Sequence, residues 1–155
     1  MESIVCSVIV PMYNEEEVLT ETCRRLREVM EAFGETYEIV FINDGSRDRT
    51  AEMLRAVCDA DPHVKLIDFS RNFGHQTAIT AGMDHAAGRC MVIIDGDLQD
   101  PPELIPDMIA RWREGFDIVY GKRTSREGET FFKKLTAKSF YRLLRAVTDV
   151  DIPVD

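Results

Sequence analysis

Four carboxylates follow directly after a short apolar run in this sequence. The run covers residues 92–94, and the stretch behind it, DGDLQDPPE, contains Asp95, Asp97, Asp100 and Glu103. Asp95 and Asp97 are two positions apart, so in an extended segment that leaves a strand their side chains face the same side. Close carboxylates raise each other's pKa, and a bound divalent cation removes that conflict.

The type of these ligands indicates which cation the stretch would bind. Carboxylate oxygens with no His or thiolate nearby favour Mg²⁺ or Mn²⁺ over zinc, and Mg²⁺ favours phosphate as a further ligand. The stretch therefore predicts a metal site for a diphosphate. A loop of solvated acids is the alternative, and it is disfavoured because Gly96 allows close approach directly after a buried run.

Three other polar clusters end predicted strands. PMYNE (11–15) lacks the GxGxxG and GxxxxGK[ST] patterns, so it offers no glycine cradle for a nucleotide and, alone, indicates a helix cap. In NDGSRD (43–48), Asp44 could accept a hydrogen bond from a base imide, although an Asx turn is the simpler interpretation. In SRNFGH (70–75), Arg71 beside a glycine loop could meet a phosphate, and His75 is interpreted as a structural donor.

Strand and helix patterns alternate along the chain. Strands are predicted at 4–10, 37–42, 64–69, 90–94 and 117–120, and helices at 14–33, 49–60, 76–87, 102–114 and 131–147. This alternation predicts an α/β fold with a mostly parallel sheet covered by helices on both faces. Ligands bind at the carboxyl ends of the strands in such sheets, so the four clusters can converge.

Composition limits the class of protein. The 155 residues, with 45% hydrophobic and 30% charged, suit one globular domain. The four cysteines are scattered without a CxxC pair, which predicts buried free thiols and a reducing compartment. Neither a signal peptide nor an apolar stretch of about 18 residues is visible, so the chain is not expected to span a membrane by itself.

Charge is distributed unevenly along the chain. The net charge is −9, but residues 121–145 hold eight Lys or Arg and two Glu, which leaves +6 there and −15 elsewhere. This asymmetry indicates an anionic partner for the basic segment. Within the predicted helix 131–147, one face carries four basic side chains: Lys134, Lys138, Arg142 and Arg145. Its other face is apolar, so the helix could lie on an anionic bilayer or pack on the domain.

Five motifs in this order resemble family-two glycosyltransferases with the GT-A fold, and more narrowly the polyprenyl-phosphate glycosyltransferases. They are VIVPMYNEEE, INDGSRDRT, SRNFGHQTAITAG, IIDGDLQDPPE and VYGKR. The resemblance covers nearly the whole chain and implies the GT-A (Rossmann-like) sheet. It also implies a single catalytic domain, 1–155, that is incomplete on its acceptor side, because relatives continue past "DIPVD" into further acceptor-side residues and often membrane helices.

The resemblance also assigns roles to individual residues. It implies that Asp97 is the main ligand of a Mg²⁺ or Mn²⁺ ion, with Asp95 and Gln99 beside it. It implies that Asp44 meets the base in a donor pocket, whose wall comprises Pro11, Tyr13, Glu15, Asp44, Asp48, Arg71 and Asp95. The acceptor phosphate would meet Arg123, Lys122 and Arg126, and the catalytic set would be Asp95, Asp97 and Arg123.

The reaction implied is an inverting transfer from a nucleotide sugar to a polyprenyl phosphate at the cytoplasmic face of the membrane. UDP-glucose is the favoured donor, with GDP-mannose and other UDP-sugars open. A homo-oligomer is possible, and no nucleic-acid partner is expected. Two alternatives remain: a nucleotide-sugar-binding module without turnover, and a DxD phosphatase of the haloacid-dehalogenase type. The second is disfavoured because such enzymes usually carry DxD on the first strand, followed by Thr or Val, whereas here Leu98 and Gln99 follow the fourth.

Overall fold

Strands and helices alternate throughout residues 3–121, which are the residues that the computed structural model describes. The strands are β1 (Cys6–Met12), β2 (Tyr37–Asn43), β3 (Val64–Asp68) and β4 (Cys90–Ile93). The helices are α1 (Leu19–Phe33), α2 (Thr50–Ala60), α3 (His75–His85) and α4 (Ile105–Arg113), and a 3-10 turn (Pro102–Leu104) precedes α4. Residues up to Val119 form one compact unit.

The four strands form a parallel sheet in the order β3-β2-β1-β4. Every residue of β1 and β2 is buried, as expected for central strands that are covered on both faces. The register places Cys6 beside both Tyr37 and Cys90. All the strands therefore end at the same edge of the sheet, and the loops behind them can meet there.

Helices cover both faces of the sheet, as the sequence predicts. One face packs Val8, Val10 and Phe41 against apolar side chains of α1, α2 and α4. The opposite face packs Ile9, Val40 and Ile42 against Ala78 of α3. This division gives the sheet two apolar layers, and the fold class predicted from the alternation is confirmed.

Helix α1 begins later than the acidic residues before it predict. The sequence places the start at residue 14, whereas the helix begins at Leu19. It ends at Phe33 and is followed by Gly34, whose φ of 74° is the left-handed C-cap that a glycine permits. Asn14 has a φ of 56°, which is not a helical conformation, and a turn occupies residues 16–18. Residues 14–17 belong instead to a loop that is bound to its neighbours by the hydrogen bonds described below.

The fourth strand is only partly buried, and the predicted fifth strand is wrong. In β4, Val92 is buried, but Met91 and Ile93 are 46% and 44% exposed, because they lie on the sheet face where α3, among the described residues, packs mainly on β1 and β2. No strand is assigned over 117–120 in this part of the chain, and Ile118 is 82% exposed. An apolar run becomes a strand only where another backbone pairs with it, and no described strand does so here.

The cysteines are free, as predicted, but only one is fully buried. Cys6 is inaccessible, and Cys23, Cys58 and Cys90 are half-buried. Burial is the main reason that the pKa of each thiol is raised, to about 11 for Cys23. Within residues 3–121, no helix is long and apolar enough to cross a membrane. The predicted helix 131–147 lies outside the described residues.

Candidate active site

A cavity of about 340 Å³ lies at the carboxyl edge of the sheet. Its wall combines residues that follow β1, β2, β3 and β4 with the first turn of α3. The lining residues are Pro11, Met12, Tyr13, Glu15, Asp44, Asn72, Gly74, His75, Ala78, Asp95, Gly96 and Asp97. All four polar clusters of the sequence therefore contribute to one cavity, as predicted from their positions at the carboxyl ends of parallel strands.

The DGD segment is fixed against the end of β1. A Cβ atom built on Gly96 would lie 1.9 Å from Met12 Sδ, so a larger residue at this point would displace the buried Met12 side chain. The Thr22 hydroxyl donates a hydrogen bond to the Gly96 carbonyl at 2.9 Å, which ties the segment to α1. With Gly96 held in this way, Asp95 and Asp97 both border the cavity.

A tight turn follows Asp97. Its Oδ1 accepts a hydrogen bond from the Gln99 N–H at 3.0 Å, and Leu98 between them has a φ of 62°. This Asx turn explains how the chain reverses immediately behind the carboxylate. The Gln99 residue itself is exposed, and its predicted role as a metal ligand stays a prediction.

The loop after β1 is bound to the loop after β2. The Asn14 N–H donates to Ser46 Oγ at 3.0 Å, and Asn14 Oδ1 accepts from the Arg47 N–H at 2.8 Å. The Glu15 N–H donates to Thr50 Oγ1 at 2.9 Å. These contacts orient Glu15 and the neighbouring Tyr13, which is 40% exposed, toward the cavity.

Asp44 is the most enclosed carboxylate of the cavity. It is 3% exposed, and its Oδ1 and Oδ2 accept hydrogen bonds from the Phe73 and Gly74 N–H groups at 2.7 and 3.0 Å. The adjacent Gly45 has a φ of 63°, and a Cβ there would lie 2.2 Å from the Arg71 carbonyl carbon. Asp44 therefore holds the loop after β3, a role that the sequence did not indicate, and its contact with a base stays a prediction.

Asp48 and Arg71 lie outside the cavity wall. Asp48 accepts hydrogen bonds from the Thr50 and Glu16 N–H groups at 3.0 and 3.2 Å. Burial alone would raise the pKa of Asp48, but these hydrogen bonds outweigh it and hold the pKa below its usual value. Arg71 is exposed, and its guanidinium lies 4.2 Å from the centre of the Phe73 ring. Their predicted contacts with the nucleotide stay predictions.

His75 is the cavity residue whose position the sequence analysis missed. Its Nε2 lies 3.6 Å from Asp95 Oδ1, and both side chains are about half exposed. A histidine buried in the core or bound to its own helix would fit the interpretation as a structural donor, and His75 is neither. Its place directly behind the strand-end cluster SRNFG was the signal that could have identified it.

The oxygen atoms at the cavity fit a divalent cation whose remaining ligands come from a phosphate. Asp95 and Asp97 supply hard oxygen atoms at the cavity. The pKa of the neighbouring Glu15 is raised, mainly by burial and then by the negative charges of Asp97 and Asp48. Among residues 3–121, however, no three His, Cys, Asp or Glu side chains converge as a ready metal site. Two carboxylates with substrate oxygens are a ligand set that Mg²⁺ accepts.

The remaining predicted site residues lie elsewhere. Lys122, Arg123 and Arg126, predicted for the acceptor phosphate, are outside the described residues. A larger depression of about 720 Å³ runs along β3 and contains none of the predicted site residues. It is lined in part by Leu66 and His85.

The sheet, the cavity and its carboxylates agree with the family that this sequence matches. Residues 7–154 match the family described as Glycosyl transferase family 2. The chain belongs to this family. The match gives no support to the phosphatase alternative, which already conflicts with the position of the DGD motif after the fourth strand.

Curated relatives are similar over almost all of this chain. An uncharacterized glycosyltransferase of Bacillus subtilis, YkcC, is 62% identical over 96% of this chain and 46% of its own length. A prophage bactoprenol glucosyl transferase homolog of Escherichia coli is 42% identical over 94% of this chain and 48% of its own length. An undecaprenyl-phosphate 4-deoxy-4-formamido-L-arabinose transferase of Salmonella paratyphi B is 41% identical, with coverage of 92% and 43%. The chain thus spans slightly less than half the length of these relatives.

Solved structures share the fold. The Staphylococcus aureus TarS fragment 1–349 superposes with a TM-score of 0.60 at 23% identity, over 79% of this chain and 39% of that one. A mannosyltransferase from Pyrobaculum calidifontis, PcManGT, solved with GDP-Man and Mn²⁺, superposes with a TM-score of 0.54 at 25% identity, over 64% and 34%. These matches agree with the GT-A-like α/β sheet.

Proposed function

We propose that this chain carries the donor-binding part of a metal-dependent inverting glycosyltransferase that transfers a sugar from a nucleotide diphosphate to a polyprenyl phosphate. The observation that carries the proposal is the single cavity that joins Asp95 and Asp97 to the loops after β1, β2 and β3. In this proposal Asp44 faces the base, and the two carboxylates of the DGD segment face the diphosphate.

Glucose from UDP-glucose is the donor that we favour. Support comes from the Escherichia coli relative, whose name specifies a bactoprenol glucosyl transferase homolog, and from the similar TarS fragment, which was solved in complex with UDP. The mannosyltransferase solved with GDP-Man makes GDP-mannose the main competitor, since guanine also presents an imide N–H to a carboxylate such as Asp44.

The proposed chemistry needs positioning more than acid–base catalysis. An oxygen of the acceptor phosphate attacks the anomeric carbon and forms the new C–O bond. The bond from that carbon to the diphosphate oxygen breaks, its electron pair leaves on the diphosphate, and the configuration at the carbon inverts. The acceptor is already an anion at neutral pH, so no strong general base is required. A divalent cation, when bound, would supply Lewis-acid stabilisation of the leaving diphosphate. Asp95 and Asp97 would hold that cation and thereby orient the donor.

The basic segment 121–145 is proposed to serve the acceptor side. Its charge of +6, on a chain that is −15 elsewhere, suits an anionic lipid phosphate and an anionic membrane surface at the cytoplasmic face. Within this segment, Arg123, with Lys122 and Arg126, is proposed to meet the acceptor phosphate. The names of the bactoprenol and undecaprenyl-phosphate relatives support this choice of acceptor.

Metal-dependent nucleotide binding tests the donor half of the proposal. UDP or GDP should raise the melting temperature only when Mg²⁺ or Mn²⁺ is present, because a ligand that binds the native state stabilises it. Asp97→Asn should abolish the metal-dependent increment. A thermal-shift panel of nucleotides and nucleotide sugars, with Mn²⁺ or with EDTA, measures both effects and ranks the donors.

The matched control is Asp107→Asn, which makes the same change of charge at an exposed position on α4 and should leave the increment intact. If wild type and Asp97→Asn are stabilised equally, with and without EDTA, the assignment of the metal site is wrong.

Vesicle co-sedimentation tests the acceptor half. Binding should rise with the content of anionic lipid and fall with added NaCl, because each basic side chain near such a surface contributes about 1 kcal/mol that salt screens. Replacing Lys134, Lys138 and Arg142 with Gln should reduce sedimentation and leave UDP binding unchanged. Arg123→Ala should retain sedimentation and impair transfer, measured in a protein extended past residue 155 to the length of the relatives. Equal binding to neutral vesicles at high salt would contradict the electrostatic account.

A further inference from the structure

His75 begins α3 at the rim of the cavity and points toward the DGD segment. Its Nε2 is 3.6 Å from Asp95 Oδ1, which is longer than a hydrogen bond, so this pair does not satisfy either group. The two side chains are 57% and 47% exposed, and among the described residues the His75 Nδ1 has no partner. An imidazole is therefore held beside a carboxylate with its hydrogen-bonding capacity unused.

The position of this imidazole is fixed by packing behind it. Helix α3 lies directly on the sheet at Gly82, where a Cβ atom would come within 2.5 Å of Ile9 Cγ2, and Ala78 is fully buried one turn after His75. The residues just before the helix are held by the two hydrogen bonds from the Phe73 and Gly74 amides to Asp44. His75 is thus presented to the cavity by a docked helix and a clamped loop, which is the preorganisation that a ligand contact needs.

The order of the strands tells which part of a nucleotide His75 would meet. Asp44 follows β2 and Asp95 follows β4, and β1 lies between these strands. Neighbouring strands are about 4.8 Å apart, so Asp44 and Asp95 mark two ends of the cavity about 10 Å from each other. The loop after β3 is bound to Asp44 at one end, and His75 reaches Asp95 at the other. The imidazole therefore belongs to the end that the DGD carboxylates occupy.

We propose that His75 is a donor-substrate contact, whose imidazole N–H donates a hydrogen bond to the diphosphate of the nucleotide sugar beside Asp95. This inference rests on the proposed function and adds a residue to its donor site. A neutral imidazole has one N–H donor and a protonated one has two, so the contact does not depend on the charge state. An amide side chain of similar reach can replace the donor in part.

Calorimetric titration at one fixed pH with Mn²⁺ tests the contact. His75→Ala should weaken the binding of UDP and of pyrophosphate by the same factor, on the order of tenfold, which is the usual loss for a hydrogen bond to a charged group. UMP, which lacks the second phosphate, should lose less. His75→Gln should restore most of the affinity for UDP. The control is His85→Ala, a substitution of the same residue type at the other end of α3 and outside this cavity.

Each result decides between specific alternatives. Equal weakening of UDP and UMP by His75→Ala would mean that the residue holds the loop, and unchanged affinities would mean that it makes no contact; either result overturns the inference. If wild type binds pyrophosphate with Mn²⁺ but neither UDP nor GDP, the proposed nucleotide site fails, and the pyrophosphate titration still tests His75. If wild type binds none of these ligands, both the proposed function and the inference fail.

Discussion

Two acidic regions of this protein use the same functional group in opposite ways. Glu38, in β2 on the face that α3 covers, is 1% exposed, and its Oε1 accepts hydrogen bonds from the Ser7 hydroxyl at 2.6 Å and from the Ala87 N–H at 2.7 Å. Its Oε2 has no hydrogen bond of regular geometry within the described residues, but the Lys65 ammonium lies 2.5 Å away. At the carboxyl edge of the sheet, Asp95 is about half exposed, and His75 is 3.6 Å distant.

The difference lies in how completely the fold compensates each carboxylate. Glu38 in β2 contacts Ser7 in β1, Lys65 in β3 and the Ala87 N–H after α3. Ser7 in turn accepts a hydrogen bond from the Gly88 N–H at 2.8 Å, which adds a second link to the segment after α3. The protein itself supplies the partners of this carboxylate, and at 1% exposure no ligand can reach it. Asp95 and Asp97 are accessible from a cavity, so an external partner can complete their coordination. Compensation of the charge, more than its burial alone, separates the structural acid from the candidate functional ones.

Removal of Glu38 should have the largest effect on stability. Glu38→Ala leaves the buried Ser7 hydroxyl and the Ala87 amide without their acceptor, and an unsatisfied buried donor costs about 1–3 kcal/mol. The Lys65 side chain is 52% exposed, so water solvates its charge and its loss of a partner adds little. The free energy of unfolding, measured in urea at pH 7, should therefore fall by about 1–3 kcal/mol. Glu31→Ala, at an exposed position of α1, is the control and should change stability by less than about 0.5 kcal/mol.

The same residue gives the protein a defined pH dependence. Burial alone would raise the pKa of Glu38, but the Lys65 charge and the two hydrogen bonds outweigh it, so the pKa lies below its usual value of 4.5. A carboxyl whose pKa is lowered by folding contributes stability above its unfolded pKa and loses that contribution as the pH falls through the folded pKa. The stability difference between wild type and Glu38→Gln should therefore shrink below about pH 4. A constant difference down to pH 3, or weakened UDP binding by Glu38→Gln at pH 7, would contradict this division of roles.

Local patterns predicted the fold because a parallel sheet with helices on both faces leaves a simple trace in the sequence. The central strands β1 and β2 appear as apolar runs, and Gly34 marks the end of α1 where a left-handed residue is required. Patterns failed where pairing or tertiary hydrogen bonds decide the result. The run 117–120 has strand composition but no described partner strand. Glu15 and Glu16 do not start a helix, because their backbone N–H groups bind side chains between β2 and the start of α2.

The site could be predicted to the level of the loop but not of the contact. Strand-end position was enough to place Tyr13, Asp44, Asp95 and Asp97 around one cavity. The hydrogen bonds that Asp44 accepts from the loop after β3, and the approach of His75 to Asp95, depend on how α3 docks on the sheet. Local sequence patterns do not predict how α3 docks, because its position depends on the close contact between Gly82 on the helix and Ile9 on the sheet.

Asp44 is the residue on which the comparison of the two regions can fail, since it is compensated like Glu38 yet borders the cavity like Asp95. Asp44→Ala should weaken UDP binding by roughly 1.5–3 kcal/mol if the carboxylate reads the base, because a hydrogen bond to a charged group is lost. The loss for pyrophosphate with Mn²⁺ should not exceed that of His75→Ala, since His75 is the proposed diphosphate contact that the clamped loop presents. In the double variant Asp44→Ala/His75→Ala, the two losses on pyrophosphate should then overlap instead of adding. Titration of UDP and pyrophosphate into the three variants measures each quantity. Equal losses for UDP and pyrophosphate in Asp44→Ala would show that this carboxylate, like Glu38, only holds the fold, and that another group recognises the base.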